Sequence, residues 1–231
     1  MSRRGALTLG LALWLALVLP LALLVHAGWA PLLDTDRAVV DALQPAAADS
    51  PAYRGVLSVL TDAGTSWVRL LALLPVVIWA FRTGRAGLGW YVVVAASLIG
   101  PLTSGLKLLV GRERPEFADP IYVSDSLSHP SGHSSGIVTL VGLLLVAFLR
   151  LQRRRTRWLT LTGAVLLVLA VGLTRMALGA HYPSDVLAGY ALGAGWVLVL
   201  GAAFGVLPGR REEPEGDRSL QKQQPPERKG P

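Results

Sequence analysis

The stretch LTLGLALWLALVLPLALLVH, Leu7 to His26, decides the fold class of this chain. It contains no aspartate, glutamate, lysine or arginine. A helix of about 20 apolar residues is long enough to cross the hydrocarbon core of a bilayer, whereas a helix in a soluble core rarely needs that length. The stretch therefore predicts a membrane-spanning helix. A signal peptide is the alternative, but the run is longer than a signal core and no cleavage motif follows it, so we predict an uncleaved span.

Comparable apolar runs recur along the 231 residues. They predict an all-α protein, a bundle of six transmembrane helices. The predicted spans are Leu7–His26, Trp67–Phe81, Leu88–Val110, His133–Leu149, Trp158–Leu178 and Asp185–Leu207.

Arginines are concentrated in alternate connections between these spans. With six spans they all fall on one side, which the positive-inside rule makes cytoplasmic, together with both termini. These arginines are Arg3, Arg4, Arg82, Arg85, Arg150, Arg153, Arg154, Arg155, Arg157, Arg210 and Arg211. The predicted protein therefore lies in the cell membrane with its other connections facing the extracytoplasmic side.

The chain divides into three predicted parts. Residues 1–56 hold the first transmembrane helix and an external loop, in which LLDTDRAVVDAL predicts an amphipathic helix on the membrane surface. Residues 57–207 form a core with five transmembrane helices. Residues 208–231 are rich in proline, glutamine and charge, which is typical of a disordered cytoplasmic tail.

The overall charge and the absence of cysteine exclude several functions. A net charge of +7 can indicate nucleic-acid binding, but here the arginines flank hydrophobic spans and act as topology signals, so we predict no nucleic-acid partner. With no cysteine, disulfides and thiolate metal sites are excluded.

Three polar motifs lie on the predicted external side, where ionisable residues near hydrocarbon usually have a function. The first is KLLVGRERP, in which Arg114 follows Lys107 by seven residues. If the helix persists, both cations share a face. The alternative is that Lys107 snorkels while Arg112 and Arg114 are solvated loop charges.

The second motif is HPSGHSSG, from His129 to Gly136. Pro130 suits the first turn of a helix, and Ser128 or Ser131 can cap it. The free N–H groups of Ser131, Gly132 and His133 would then attract an anion, and a glycine lets that anion approach the backbone. The alternative is an ordinary helix start with a surface histidine. His129 lies outside the helix start and is predicted to be a residue at the rim.

The third motif is TRMALGAHYPSD, in which Asp185 follows His181 by four residues. A carboxylate bonded to one imidazole nitrogen fixes the tautomer and leaves the other nitrogen free as a nucleophile. The alternative is that Asp185 only caps the sixth span. Taken together, the motifs supply the cations Lys107, Arg114 and Arg175, two histidines and a helix start, as phosphoryl transfer requires.

In this order and on these spans, the three motifs resemble those of the type 2 phosphatidic acid phosphatase superfamily of membrane lipid phosphatases, a signature shared by soluble vanadium haloperoxidases. The resemblance covers roughly residues 57–207. It implies that His181 is the nucleophile that forms a phosphohistidine, that Asp185 orients it, and that His133 is the general acid. A departure is Thr174, where the family usually has serine.

The resemblance further implies a phosphate clamp and no metal or other cofactor. The clamp residues are Lys107, Arg114, Ser131, Gly132 and Arg175. The expected substrate is a lipid phosphomonoester or diphosphate, namely undecaprenyl diphosphate, phosphatidate or phosphatidylglycerophosphate. Three alternatives remain: phosphotransfer to another acceptor, binding or transport of an anionic lipid without hydrolysis, and vanadate-dependent oxidation, against which the membrane spans argue. The sequence leaves the oligomeric state open.

Overall fold

The computed structural model describes residues 2–118 and 120–207, and every regular element within them is helical. The predicted tail, residues 208–231, lies outside this range. The α-helices are α1 Arg3–Leu13, α2 Leu19–His26, α3 Ala30–Asp49, α4 Pro51–Asp62, α5 Ser66–Arg82, α6 Ala86–Val110, α7 Gly132–Phe148, α8 Arg154–Ala177 and α9 Pro183–Ala203.

The first predicted span is one long helical stretch with an irregular centre. A π-helical segment, Trp14–Val18, joins α1 to α2. Pro20 explains this position, because its ring displaces the carbonyl four residues earlier and it has no N–H to donate. The stretch nevertheless continues from Arg3 to His26.

Four helical stretches are long and apolar enough to cross a membrane, namely Arg3–His26, α6, α8 and α9. The pair α4 and α5, bent by 45° at the break between them, makes a fifth if it is one span. The remaining apolar helix, α7, has only 17 residues. The chain is thus an all-helical, multi-pass membrane protein in its described part, and the count of six spans stays a prediction.

The predicted external loop is largely helical and packs on the bundle. The buried positions of α3 are Asp36, Val40, Gln44 and Ala47, spaced three or four residues apart. This spacing puts them on one face of the helix. The face contacts α8 and α9, so α3 is docked on the bundle and carries one carboxylate inward.

Glycines let the last helix approach two neighbours closely. A Cβ added at Gly10 of α1 would lie 3.0 Å from the Gly195 carbonyl oxygen of α9, and one at Gly189 of α9 would lie 2.6 Å from the Ser131 carbonyl oxygen. Small residues allow this kind of backbone contact between membrane helices. As a result α7 and α9 begin side by side, and the Ser131 N–H donates to the Asp185 carbonyl at 2.9 Å.

Candidate active site

The three polar motifs meet at one end of the bundle, as the sequence predicted. Residues 111–118 and 120–131 hold four helix ends together there. These are the end of α6, the start of α7, the end of α8 and the start of α9. Two contacts show the assembly: Lys107 Nζ donates to the Leu127 carbonyl oxygen, and Arg114 Nη1 donates to the Ala180 carbonyl oxygen at 2.6 Å.

Asp185 is the most heavily bonded side chain of the site and is fully buried. Its Oδ1 accepts from Arg112 Nη1 at 2.8 Å and lies 3.0 Å from His129 Nδ1. Its Oδ2 accepts from the Ser128 hydroxyl and, at 2.9 Å, from the Tyr182 N–H. The last bond caps the start of α9, so Asp185 is both a helix cap and a residue of the site.

His181 lies between this carboxylate and a guanidinium. Its Nδ1 is 3.5 Å from Asp185 Oδ2 and 3.4 Å from Ser128 Oγ, while its Nε2 is 3.2 Å from Arg114 Nη1. Burial holds the pKa of His181 well below its usual 6.5, although Asp185 acts in the opposite direction. The imidazole is therefore neutral at neutral pH. With Nδ1–H toward the carboxylate, Nε2 keeps its lone pair, the arrangement of an oriented nucleophile.

Arg175 provides a buried positive charge that acts electrostatically on this histidine. Its Nη1 donates to Thr61 Oγ1 at 3.0 Å. Its Nε and Nη2 are buried and have no hydrogen-bond partner within the described residues. Buried guanidinium donors are normally satisfied because leaving them unpaired is unfavourable. Two such donors are well suited to binding the oxygens of an anion.

Arg114 is oriented by the backbone and shares an aromatic neighbour with Arg175. Its Nε donates to the Ser126 carbonyl at 2.7 Å, and burial lowers its pKa. The ring of Tyr122 lies 4.6 Å from Arg175 Cζ and 5.1 Å from Arg114 Cζ. Tyr122 thus holds both guanidinium groups through cation–π contacts, and no sequence motif indicated it.

Lys107 and Arg114 come together differently from the helical prediction. Gly111, with a φ of 71°, ends α6, so the two cations are not on one helix face. They converge because both bind the segment before α7. Lys107 Nζ lies 3.5 Å from the Ser128 carbonyl oxygen, and Arg114 Nη2 donates to Ser126 Oγ at 2.7 Å.

The start of α7 differs in detail from the prediction. Ser131 caps the helix by accepting from the Ser134 N–H at 3.3 Å, so Pro130 precedes the cap and is not in the first turn. The Ser131 N–H is bonded to the Asp185 carbonyl, so it is not a free donor. Gly132 and His133 open the helix, and their amides have no carbonyl within it to bind.

His133 is partly buried and lines a pocket of about 230 Å³ together with Lys107. His129 contradicts its prediction as a rim residue, because it is fully buried with Nδ1 on Asp185. Its Nε2 has no partner among the described residues.

The hydroxyl of Thr174, the residue that departs from the usual serine, donates to the Val171 carbonyl of its own helix at 2.6 Å. This hydroxyl therefore bonds the backbone and not a neighbouring site residue.

The sequence reading missed a second carboxylate, Asp36. Its Oδ2 accepts from Arg112 Nη2 at 2.8 Å, and its Oδ1 accepts from the Ser184 N–H at 2.9 Å. Arg112 therefore bridges Asp36 and Asp185, with its side chain only 9% exposed, and is not a solvated loop charge. A usable signal existed, since Asp36 is an acidic residue on the buried face of α3.

No group of three or more histidine, cysteine or acidic side chains in the described part of the chain is arranged to hold a metal ion. The absence of a metal from the reaction stays a prediction.

Comparison with known proteins agrees with the resemblance read from the motifs. Residues 87–205 match the family model of the PAP2 superfamily. The chain belongs to this superfamily. Its fold is similar to the crystal structure of a transmembrane PAP2-type phosphatidylglycerophosphate phosphatase from Bacillus subtilis, with a TM-score of 0.62 and 26% identity over 84% of this chain and 94% of the other.

Curated relatives carry phosphatase names. The chain is 37% identical to the lipid A 1-phosphatase of Rhizobium johnstonii over 51% of its own length and 48% of the relative. It is 30% identical to phosphatidylglycerophosphatase B of Bacillus subtilis over 62% of this chain and 71% of that one. It is 33% identical to the decaprenylphosphoryl-5-phosphoribose phosphatase of Mycobacterium tuberculosis over 68% and 84%. The chain thus spans about half the length of the first of these relatives.

Proposed function

We propose that this chain is an integral membrane lipid phosphatase that hydrolyses a phosphomonoester or diphosphate of a lipid. The observation that carries the proposal is the buried Arg175 guanidinium, whose Nε and Nη2 are unpaired within the described residues and whose charge acts on the oriented imidazole of His181. The names of the relatives, all phosphatases of lipid-linked phosphates, support the same class. Undecaprenyl diphosphate, phosphatidate and phosphatidylglycerophosphate are the candidate substrates.

The proposed reaction has two steps, and both histidines take part in each. His181 Nε2 attacks phosphorus, the bond to the lipid oxygen breaks, and His133 gives that oxygen a proton. His133 then removes a proton from water, which attacks the phosphohistidine, and inorganic phosphate leaves as the P–N bond breaks. Asp185 stabilises the positive charge that develops on the His181 ring.

The remaining site residues stabilise charge on the transferred group. Arg114, Arg175 and Lys107 would bind its equatorial oxygens, and the amides of Gly132 and His133 would add donors at the positive end of α7. Ser131 would contribute as the residue that caps this helix start. The proposed steps use no metal, because the three cations would supply the positive charge that the phosphate oxygens need.

The proposed topology has six membrane crossings, both termini in the cytoplasm and the site on the extracytoplasmic side of the cell membrane. Because the chain has no cysteine, single introduced cysteines test this directly. An impermeant maleimide should label Val123→Cys in intact cells and Thr156→Cys only after lysis. The reverse pattern would place the site in the cytoplasm.

Phosphate release by purified protein tests the activity on each of the three candidate lipids. His181→Asn should abolish turnover and the acid-labile phosphoenzyme that ³²P-labelled substrate forms. His133→Ala should lose lipid hydrolysis but still form phosphoenzyme from p-nitrophenyl phosphate, whose leaving group needs no proton. Near-full lipid hydrolysis by either variant would refute the mechanism.

The same assays separate the alternatives. A phosphorylated acceptor lipid formed in place of free phosphate would indicate phosphotransfer. Saturable binding of the lipids without phosphoenzyme or product would indicate a binding or transport protein.

A further inference from the structure

A second buried cation, Arg69, lies outside the three motifs. It is in the first turn of α5 and is 3% exposed. Its Nε donates to the Ala96 carbonyl at 3.1 Å and its Nη2 to Ser66 Oγ at 3.2 Å. None of the ion pairs formed among the described residues includes it. A buried cation without a carboxylate is unfavourable, and in membrane helices such residues usually serve function.

Two glycines make room for this guanidinium. A Cβ added at Gly136 of α7 would lie 2.6 Å from Arg69 Nη1, and one at Gly100 of α6 would lie 4.0 Å from Arg69 Nη2. An alanine at position 136 would displace the guanidinium. Gly136, the last glycine of HPSGHSSG, therefore leaves the space that Arg69 occupies. The three helices α5, α6 and α7 thus pack closely around the charge.

Arg69 lines a pocket of about 230 Å³ that His133 and Lys107 also line. Two of its hydroxyls, Thr103 Oγ1 and Ser135 Oγ, are 3.0 Å apart. None of the residues that line the pocket is acidic, and Ile99 is the only one with an aliphatic side chain. The lining hydroxyls are those of Thr65, Ser66, Thr103, Ser104 and Ser135. Such a pocket suits a small anionic group and not an acyl or prenyl chain.

We propose that this pocket binds a second phosphate, one carried by the leaving group of the substrate, and that Arg69 is its cationic contact. The inference rests on the proposed function, in which His133 protonates the leaving oxygen. The leaving group must then lie at His133, and the pocket on its far side receives the atoms next to that oxygen. Lys107 lies between the two phosphates and contacts both.

This assignment selects a class of substrate. The leaving group of a prenyl diphosphate is a prenyl phosphate, and that of phosphatidylglycerophosphate is a lipid with an inner phosphodiester. Both place a second phosphate beyond the cleaved bond. The leaving group of phosphatidate is an uncharged diacylglycerol. The chain should therefore prefer the first two substrates, and the preference should depend on Arg69.

The test compares kcat/KM for undecaprenyl diphosphate, phosphatidylglycerophosphate and phosphatidate in wild type, Arg69→Gln and the control Arg82→Gln. Arg82 lies at the exposed end of the same helix. Arg69→Gln should lose on the order of tenfold to hundredfold on at least one doubly phosphorylated lipid, the size expected for a charge-assisted contact, and less than about threefold on phosphatidate. The lipid that loses most identifies the source of the second phosphate. Equal losses on all three lipids would overturn the proposal.

A binding measurement keeps the proposal testable if the glutamine variant folds poorly or if the chain hydrolyses none of these lipids. In the inactive His181→Asn background, isothermal titration calorimetry should show tighter binding of inorganic pyrophosphate than of orthophosphate. Adding Arg69→Lys, which keeps the charge but loses the fork of donors, should reduce that difference. Equal affinity for the two anions before and after the substitution would reject the second subsite. If the wild-type protein hydrolyses none of the three lipids while this difference in affinity is present, the result counts against the phosphatase function and not against the subsite.

Discussion

Replacing Asp36 with asparagine removes one of the two carboxylates that Arg112 bridges. Asp36 accepts from Arg112 Nη2 at 2.8 Å, from the Ser184 N–H at 2.9 Å and from the Ser184 hydroxyl at 2.5 Å. Both partners of the ion pair are buried, with side-chain exposures of 9% and 2%. An asparagine amide has only one accepting oxygen, so one of these donors would face another donor.

The expected loss follows from these contacts. Breaking a buried ion pair typically costs about 3–5 kcal/mol, but Arg112 would keep Asp185 as a partner, so we take ~3 kcal/mol. For a domain of this size each kcal/mol lowers Tm by roughly 2–4 °C, which gives a fall of about 6–12 °C. Because Arg112 also bonds Asp185 at 2.8 Å, activity should fall along with stability.

Thermal unfolding in detergent and phosphate release on the same preparations measure both effects. Asp41→Asn, an exposed carboxylate on the same helix, is the matched control and should change neither. A double-mutant cycle with Arg112→Gln should show a coupling between positions 36 and 112 of about 1 kcal/mol or more. A Tm within 2 °C of wild type for Asp36→Asn, or additive effects in the cycle, would show that α3 does not support the site as described.

Three further results are expected. Arg175→Lys keeps the charge but loses two of the guanidinium donors. As a result, kcat/KM should fall roughly tenfold to hundredfold with little change in Tm. An unchanged kcat/KM would contradict a role for those donors. His129→Asn should destabilise the protein by about 1–3 kcal/mol, because it disturbs a buried contact with Asp185. The variant should still form phosphoenzyme from ³²P-labelled substrate. Loss of the labelled protein would make His129 a candidate nucleophile. Because burial depresses the pKa of His181 below 6.5, its ¹⁵N signals should remain those of a neutral imidazole between pH 7 and 6. The free energy of unfolding should decrease as pH falls below about 6.5, where the unfolded chain takes up the proton. A titration midpoint at or above 6.5 for the His181 signal, assigned by its absence from His181→Asn, would contradict this.

Much of the site could be predicted because its chemistry is encoded locally. Lys107, Arg114, His133, Arg175 and His181 each lie in a short motif with a recognisable spacing, and the bundle brings these motifs to one end. The apolar runs likewise predicted the helices, since hydrophobic length is a property of a single segment.

The rest depended on contacts between distant segments. Asp36 bonds Ser184, 148 residues away in sequence, and no local pattern encodes that pairing. The sequence assigns Arg112 no role in the site and leaves a solvated loop charge as the alternative, because its two carboxylate partners come from different helices. The prediction that Lys107 and Arg114 share a helix face was wrong for a local reason. Gly111 adopts a positive φ and ends α6, so the helix does not continue to Arg114.

The close packing of α9 has a consequence for biosynthesis. Asp185 is on the last helix, while the groups it binds, Arg112, Ser128 and His129, are made earlier. Until α9 packs against α1 and α7, none of these groups has this carboxylate, and His181, the proposed nucleophile, has no orienting partner. Under the proposed mechanism, the nascent protein gains activity only when α9 is in the membrane.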